Sequence, residues 1–500
     1  MNARNLTIVQ TNDTHAYLDL HQELFWKGDH AVYRPAGGYA RIAALLNQIR
    51  AENPGRVLFC DNGDTLHGTY PAVRTRGQAV VPILNALGLD AMTAHWEFAY
   101  TPEGLKQRAA ELKFPILAAN VYHKESANSR EPGHDKETDR NGQKPGRRFF
   151  PPYLVKEING VRIGLVGLAS NIVDKTMPPL FSEGLIFTLG REELPQIVDE
   201  LRSREQADLI VLISHLGFPQ EMKLLSEVKG IDVCLSGHTH NRLYRPVLQG
   251  ETLVVQSGHH GSFLTRLDLE VEGRRIVNYR HRLIEVEAGI EPDPAIDGLV
   301  GDALAPYKEM LSEVVGETAT PLNRAASLES TMDNLLLEAV RESTGAQLAF
   351  SNGWRYGAPV PTGKITLNDL YNITPMNPPV SIVELTGEEV MAMLEENLER
   401  TFSADPYQQM GGYVKRCLGL TAYIRVENPP GRRIQRLFTG HEEVRPDRSY
   451  TAAFITQQGV PAKYGRNRQD TAQNAVDVMK AYLAAHRPVR ADLQGTFTAV

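Results

Sequence analysis

Five short apolar runs, each followed within a few residues by an aspartate or a histidine, constrain this chain more than any other feature. They are Leu6 to Gln10, Val57 to Cys60, Asp90 to Thr93, Leu209 to Ile213 and Ile231 to Leu235. Runs this short, rich in Ile, Val and Leu and bounded by Asn, Asp, Gly or Ser, read as buried strands. After them stand Asp13 and His15, Asp64, His95, His215, and His238 with His240. In an open α/β sheet ligands bind beyond the carboxyl ends of the strands, so these side chains are expected to converge on one crevice.

Five imidazoles and two carboxylates form a donor set for two divalent ions. Neutral imidazole and carboxylate suit Mn, Fe, Co and Zn without a thiolate. Asp64 is the natural bridge, because its carboxylate can serve two ions at the roughly 3.5–4 Å separation of two-metal sites. One histidine alone is ordinarily a hydrogen-bonded core or surface residue. A whole set of metal-competent side chains, each at a strand end, is not explained that way.

The 500 residues are enough for two or three domains and a sizeable core, and a net charge of −7 with 23% charged residues is ordinary for a globular chain. A mildly acidic chain is a poor electrostatic partner for nucleic acid or an anionic membrane, so neither is expected. No apolar run approaches a membrane span. The three cysteines, Cys60, Cys234 and Cys417, are far apart and imply no disulfide framework. Met1 to Leu6 leads into the first strand without an apolar leader, so the chain as written is expected in the cytoplasm, or in the periplasm if a leader has been removed.

Several motifs resemble a known family. Thr11-Asn-Asp13-Thr-His15, Gly37-Gly38-x-Ala40-Arg41, Asp61-Asn-Gly63-Asp64-x-x-x-Gly68, Ser214-His215-Leu216-Gly217, Gly237-His238-Thr-His240 and Asn352-Gly353-Trp354-Arg355 are similar to those of metallophosphoesterases of the 5'-nucleotidase and cyclic-nucleotide phosphodiesterase branch. The resemblance implies an α/β fold, a calcineurin-like sandwich of two mixed sheets with flanking helices, plus a smaller C-terminal 5'-nucleotidase-type α/β domain that caps the crevice. It implies a metal domain at 1–290, a linker with helix at 291–320 and a substrate-binding domain at 321–500. One metal would take Asp13, His15, Asp64 and His240, the other Asp64, His95, His215 and His238. Mn is the first expectation, with Zn, Fe or Co as alternatives. A metal-bridging hydroxide would then attack a small anionic substrate, a nucleotide or other phosphoester.

The sequence departs from that pattern at Thr93-Ala-His95-Trp96-Glu-Phe-Ala99. Family phosphatases read Gly-Asn-His-Glu-Phe-Asp there, with Asn on a metal and the His–Asp dyad supporting the leaving group. His95 falls on the Asn position and can still ligate. Trp96 and Ala99 replace the dyad, and an indole only donates a hydrogen bond and does not titrate usefully. A substrate whose leaving group is already stable as an anion loses least by this. The same reading resembles the thiosulfohydrolase of the bacterial sulfur-oxidation (Sox) system, which implies sulfate release from a cysteine S-thiosulfonate on a carrier protein. Asp405-Pro-Tyr-Gln-Gln-Met-Gly-Gly412 and Arg416-x-x-Gly419-Leu420 resemble that branch too. A reading of another class is a degenerate binding protein that keeps its metals for structure.

In the far half, Asn352 and Arg355 match substrate-facing positions of the family, and Tyr413 and Phe454 match the two rings that hold a purine. Against a base sandwich, Gln458-Gly459-Val460 replaces the family's Gly-Gly-Asp, and Leu328 stands where an arginine is expected. His67, His259 and His260 are further polar candidates near the metals. Leu18 to Pro35 and the polar stretch His123 to Arg148 read as loops.

Overall fold

A computed structural model of the chain describes residues 3–125 and 145–500. Two compact units emerge, Met1–His21 with Pro35–Leu304, and Gln22–Arg34 with Ala305–Val500.

The first unit holds two mixed sheets. One runs, in spatial order, Arg275–Glu285, Phe263–Glu272, Arg4–Thr11, Val57–Asp61 and Ala91–Met92; the other runs Val247–Gln249, Thr252–Val255, Val233–Leu235, Leu209–Ser214, Val161–Leu168 and Tyr153–Ile158. Alternate residues of both sheets share one core: Leu6 and Ile8, Leu58 and Cys60, Ile163 and Leu165, Leu209, Val211 and Ile213. The period of two is that of strands with one face inward. Fully burying each such Val, Leu or Ile contributes about 1.5–3 kcal/mol.

The strand directions position the site. Arg4–Thr11, Val57–Asp61 and Ala91–Met92 pair parallel, as do Leu209–Ser214 and Val233–Leu235. Their carboxyl ends therefore lie on a common edge within each sheet, and the residues that follow them are the ligand candidates. The Tyr39–Glu52 helix opens after Gly38 and buries Ile42, Leu46 and Ile49.

The second unit holds a five-stranded sheet in the order Tyr413–Leu418, Leu348–Gly353, Ser449–Ile455, Pro379–Thr386 and Arg466–Asn474, beside a four-stranded sheet in the order Glu442–Glu443, Ile434–Thr439, Thr421–Ile424 and Phe497–Ala499. Helix Thr331–Thr344 starts at Ser330, whose side chain accepts from the Asp333 N–H, and helix Gly387–Phe402 starts with a Thr386/Glu389 capping box. Each cap satisfies backbone donors that the first turn leaves open.

Two loop expectations are corrected. Leu18 to Pro35 is not all loop: His21–Lys27 and His30–Ala36 pair as a hairpin around Gly28, whose φ is 64°. The hairpin residues Gln22–Arg34 group with the second unit, where the Asn323 side-chain amide donates to the Tyr33 hydroxyl at 2.9 Å. His123 to Arg148 is not all loop either: Val121–Lys124 and Pro145–Arg148, which take in its two ends, pair as antiparallel strands, and 126–144 lie outside the described residues. Among the described residues no helix is long and apolar enough to cross a membrane.

Candidate metal centre

All seven predicted ligands meet, in two overlapping groups. Asp64, His95, His215 and His238 form one, and Asp13, His15, Asp64 and His240 the other; within each, one donor atom per residue lies within 4.8 Å of the rest. Asp64 belongs to both, as a bridging carboxylate must. His95 Nδ1 stands 3.1 Å from Asp64 Oδ1, His215 Nε2 3.3 Å from Asp64 Oδ2, and His240 Nε2 3.2 Å from Asp13 Oδ1.

The backbone is strained to achieve this. Asp13, His15, Asp64, His238 and His240 all have φ between 47° and 68°, a region that non-glycine residues seldom enter and that costs of order 1–3 kcal/mol each. Turning each chain back on itself at the strand end brings side chains from separate loops to one point. Backbone hydrogen bonds hold the turns: the Asp13 N–H donates to Gly63 O at 3.0 Å, the His15 N–H to Asp64 O at 2.7 Å, and the His260 N–H to Asp13 O at 2.8 Å. Gly68 is required here, since a Cβ would stand 2.4 Å from His15 O and 2.6 Å from His15 Cβ.

A surrounding shell aims the ligands. His215 Nδ1 donates to Asn62 O at 2.6 Å, and His15 Nδ1 to His67 O at 3.3 Å, so each presents Nε2 inward. The Glu97 carboxylate accepts from the N–H groups of His95 (2.7 Å), Thr65 (2.6 Å), Leu66 (3.1 Å) and Asp64 (3.3 Å). It thereby clamps the Asp64 turn to the His95 turn. The reading of the sequence missed Glu97, although its place two residues beyond a ligand was the available signal.

The electrostatics suit a cation. Burial alone would raise the carboxyls of Asp13 and Asp64, but His215 and His240 around the first, and His95 and His215 around the second, hold both below the ordinary range. Burial pushes His15 down to about 3, which keeps it a neutral ligand. Burial also opposes charge on His215, yet Asp64 and Asp13 outweigh it and push His215 up to about 10. A proton there and a metal ion compete for the same carboxylates. His95 Nε2 is buried with no hydrogen-bond partner among the described residues. The donors fit two divalent ions in number, type and spacing.

Trp96 and Ala99 occupy the turn Trp96–Tyr100. The Trp96 N–H donates to Asp64 Oδ1 at 2.8 Å, and its indole stacks on His67 at 4.9 Å between ring centroids and 20° between planes. His67, fully buried, is held down to about 4 by burial. His259 and His260 stack at 4.1 Å, and His259 lies 4.8 Å from the His240 ring.

In the second unit Asn352 ends a strand and Arg355 follows it, both half-buried. Arg355 Nη2 donates to Gly412 O at 3.1 Å. Tyr413, also half-buried, has the guanidinium carbons of Arg355 and of Arg416 each 5.4 Å from its ring centre. Phe454 is part of the hydrophobic core, with the Arg468 guanidinium 4.6 Å from its ring centre.

Residues 6–242 match the model of the calcineurin-like phosphoesterases, and residues 314–456 that of the 5'-nucleotidase C-terminal domain. Among curated relatives, the trifunctional nucleotide phosphoesterase YfkN of Bacillus subtilis is 25% identical over 86% of this chain; the match spans only 30% of that longer protein. Among solved structures, the sulfate thiohydrolase SoxB of Thermus thermophilus, in complex with glycerol, superposes with a TM-score of 0.89 at 26% identity, covering 99% of this chain and 96% of that one. A 5'-nucleotidase precursor from Thermus thermophilus gives 0.83 at 25% identity, covering 99% of both. With this site on this sandwich, the chain belongs to the metallophosphoesterases of the 5'-nucleotidase family, a calcineurin-like phosphoesterase domain followed by a 5'-nucleotidase C-terminal domain.

Proposed function

We propose that the protein hydrolyses small anionic esters, phosphoesters of the nucleotide kind first, with two divalent ions, Mn first and Zn, Fe or Co as alternates. The observation that carries this is the pair of ligand groups sharing Asp64. When bound, such ions activate a water and neutralise charge on a tetrahedral phosphorus or sulfur centre. The chain's own residues orient that chemistry. Asn62 and His67 carbonyls fix the ring orientation of His215 and His15, and Glu97 fixes the distance between two ligand turns. Asn352, Arg355 and Tyr413 are the substrate-binding residues of this proposal; Arg355 offers a rigid fork of donors to an anion. Phe454, packed in the hydrophobic core beside Arg468, is the fourth candidate for contact with substrate.

A second reading, thiosulfonate hydrolysis on a carrier protein, is favoured by Trp96. Its indole stacks on His67, and by the family resemblance Trp96 takes the sequence position of the histidine that supports an alkoxide leaving group. A sulfur leaving group departs as a stable anion and has no need of such support. The structural likeness to a sulfate thiohydrolase points the same way.

The experiment is hydrolysis by the Mn-loaded protein of a nucleoside monophosphate, a nucleoside diphosphate and cysteine S-thiosulfonate, with Trp96→His beside the wild type. Phosphate release by the wild type supports the first reading. Sulfate release alone, with phosphate release gained in Trp96→His, moves the protein to the second. Bound metal without any turnover leaves a binding protein.

A further inference from the structure

Asp333, fully buried in the first turn of helix Thr331–Thr344, joins two arginines. Arg324 Nε donates to its Oδ1 and Arg416 Nε to its Oδ2, both at 3.0 Å, and the Ser330 hydroxyl donates to Oδ2 at 2.6 Å. Arg324 and Arg416 are each 2% exposed.

Arg416 reaches on to a residue of the proposed substrate site, and Arg324 to the two chain neighbours of another. Arg324 Nη1 donates to Tyr356 O at 2.8 Å, and its guanidinium lies 5.6 Å from the Trp354 ring centre. It thus grips both chain neighbours of Arg355. Arg416 lies in the Tyr413–Leu418 strand with its guanidinium against the Tyr413 ring, while Nη1 and Nη2 donate to Ser327 O and Ala326 O at 3.1 and 2.7 Å. Arg355 completes the ring of contacts through Gly412 O and Tyr413.

The charge count separates a structural tie from a functional one. Two guanidinium groups, which stay ionised in proteins, face one carboxylate. A purely structural cluster would close one to one, because a surplus buried charge is costly. Arg324 Nη2 is moreover buried without a hydrogen-bond partner among the described residues. A surplus positive charge is useful where an anion binds nearby.

We propose that Arg324, through Asp333 and Arg416, is a positioning residue that sets Arg355 and Tyr413 for the anionic part of the substrate and supplies a supporting positive field. This rests on the reading that Arg355 binds substrate.

Removing Asp333 would leave two buried charges unpaired, so the test uses Arg324→Lys, which keeps the charge and loses the planar fork. Steady-state kinetics of the Mn-loaded full chain with adenosine 5'-monophosphate and with cysteine S-thiosulfonate compare R324K, R355A and the double variant. With each substrate the wild type turns over, R355A and R324K should each raise KM about tenfold with kcat within about twofold, and the double variant should stay within about twofold of R355A. If the two effects multiply in KM, or if R324K leaves KM unchanged while R355A raises it, the inference falls and the reading of Arg355 stands. If R355A leaves KM unchanged, or the wild type turns over neither compound, that reading falls and takes the inference with it. Should R324K not fold, Arg324→Gln applies the same test with an uncharged side chain that can still donate a hydrogen bond.

Discussion

The metal centre and the Asp333 cluster are both buried concentrations of charge, built on opposite plans. At the metal centre lone pairs face lone pairs: His15 Nε2 stands 3.3 Å from His240 Nε2, and Asp64 and Asp13 lie among five imidazoles. Around Asp333 every carboxylate oxygen meets a donor from the chain itself. The first arrangement calls for cations from outside, and the second closes itself and leaves only its surplus positive charge. Excess of acceptors over donors, more than burial, distinguishes a place for a cation from a carboxylate that the chain's own donors satisfy.

The sharpest way to break this comparison is Asp64→Asn. One amide oxygen cannot bridge two ions, so metal content measured by elemental analysis should fall from two per chain to one or none. Hydrolysis should drop roughly a thousandfold or more. The fold should survive, because Asp64 lies outside the shared core. Retention of two ions would show that the ligands do not depend on a shared carboxylate.

Asp333→Asn should do the reverse. Breaking a fully buried ion cluster by removing one partner costs about 3–5 kcal/mol, read as a lower urea midpoint of the second unit. Metal content should stay at two per chain. Equal loss of metal and stability in both variants would erase the distinction.

Gly68→Ala probes the strained turns that bring the ligands together. The new methyl meets His15 O and Cβ, at a φ of 143° that alanine tolerates poorly. His15 moves, so one of the two ions should bind about 10–100-fold more weakly while the other is retained. Simultaneous loss of both ions would mean that the two ligand groups act as a single unit.

Most of the metal centre was legible because its ligands stand at the ends of short apolar runs, a local pattern. What was not legible was non-local. The left-handed backbone at these ligands is held by bonds between loops far apart in the chain, such as Asp13 N–H to Gly63 O and His260 N–H to Asp13 O. The hairpin at His21–Lys27 and His30–Ala36 was obscured by polar residues on both strands, although Lys27-Gly28-Asp29 carried a turn signal. The rings of Tyr413 and Phe454 were recognisable, but the guanidinium groups beside them come from Arg355 and Arg416 in one case and Arg468 in the other. No sequence pattern singles out Asp333, because Arg324 and Arg416 reach it from different segments.

The smallest expected effect tests how the second unit treats a buried charge that is hydrogen-bonded to carbonyls instead of to a carboxylate. Lys415, fully buried, donates from Nζ to Gln458 O at 2.6 Å and Gly459 O at 2.8 Å. Burial, assisted by Arg400, pushes it down to about 7 from an ordinary 10.5. Between those values the unfolded chain binds more protons than the folded one, so unfolding free energy rises with pH across that window. Below about pH 7 both states hold the proton and the lysine is at its most destabilising. The slope is at most about 1.4 kcal/mol per pH unit for one proton. Lys415→Met removes the titrating group, so the urea midpoint of the second unit should rise less between pH 7.5 and 9.5 than in the wild type. Parallel slopes for the two proteins would mean that Lys415 keeps its proton when buried, held by the two carbonyls and the field of Glu396.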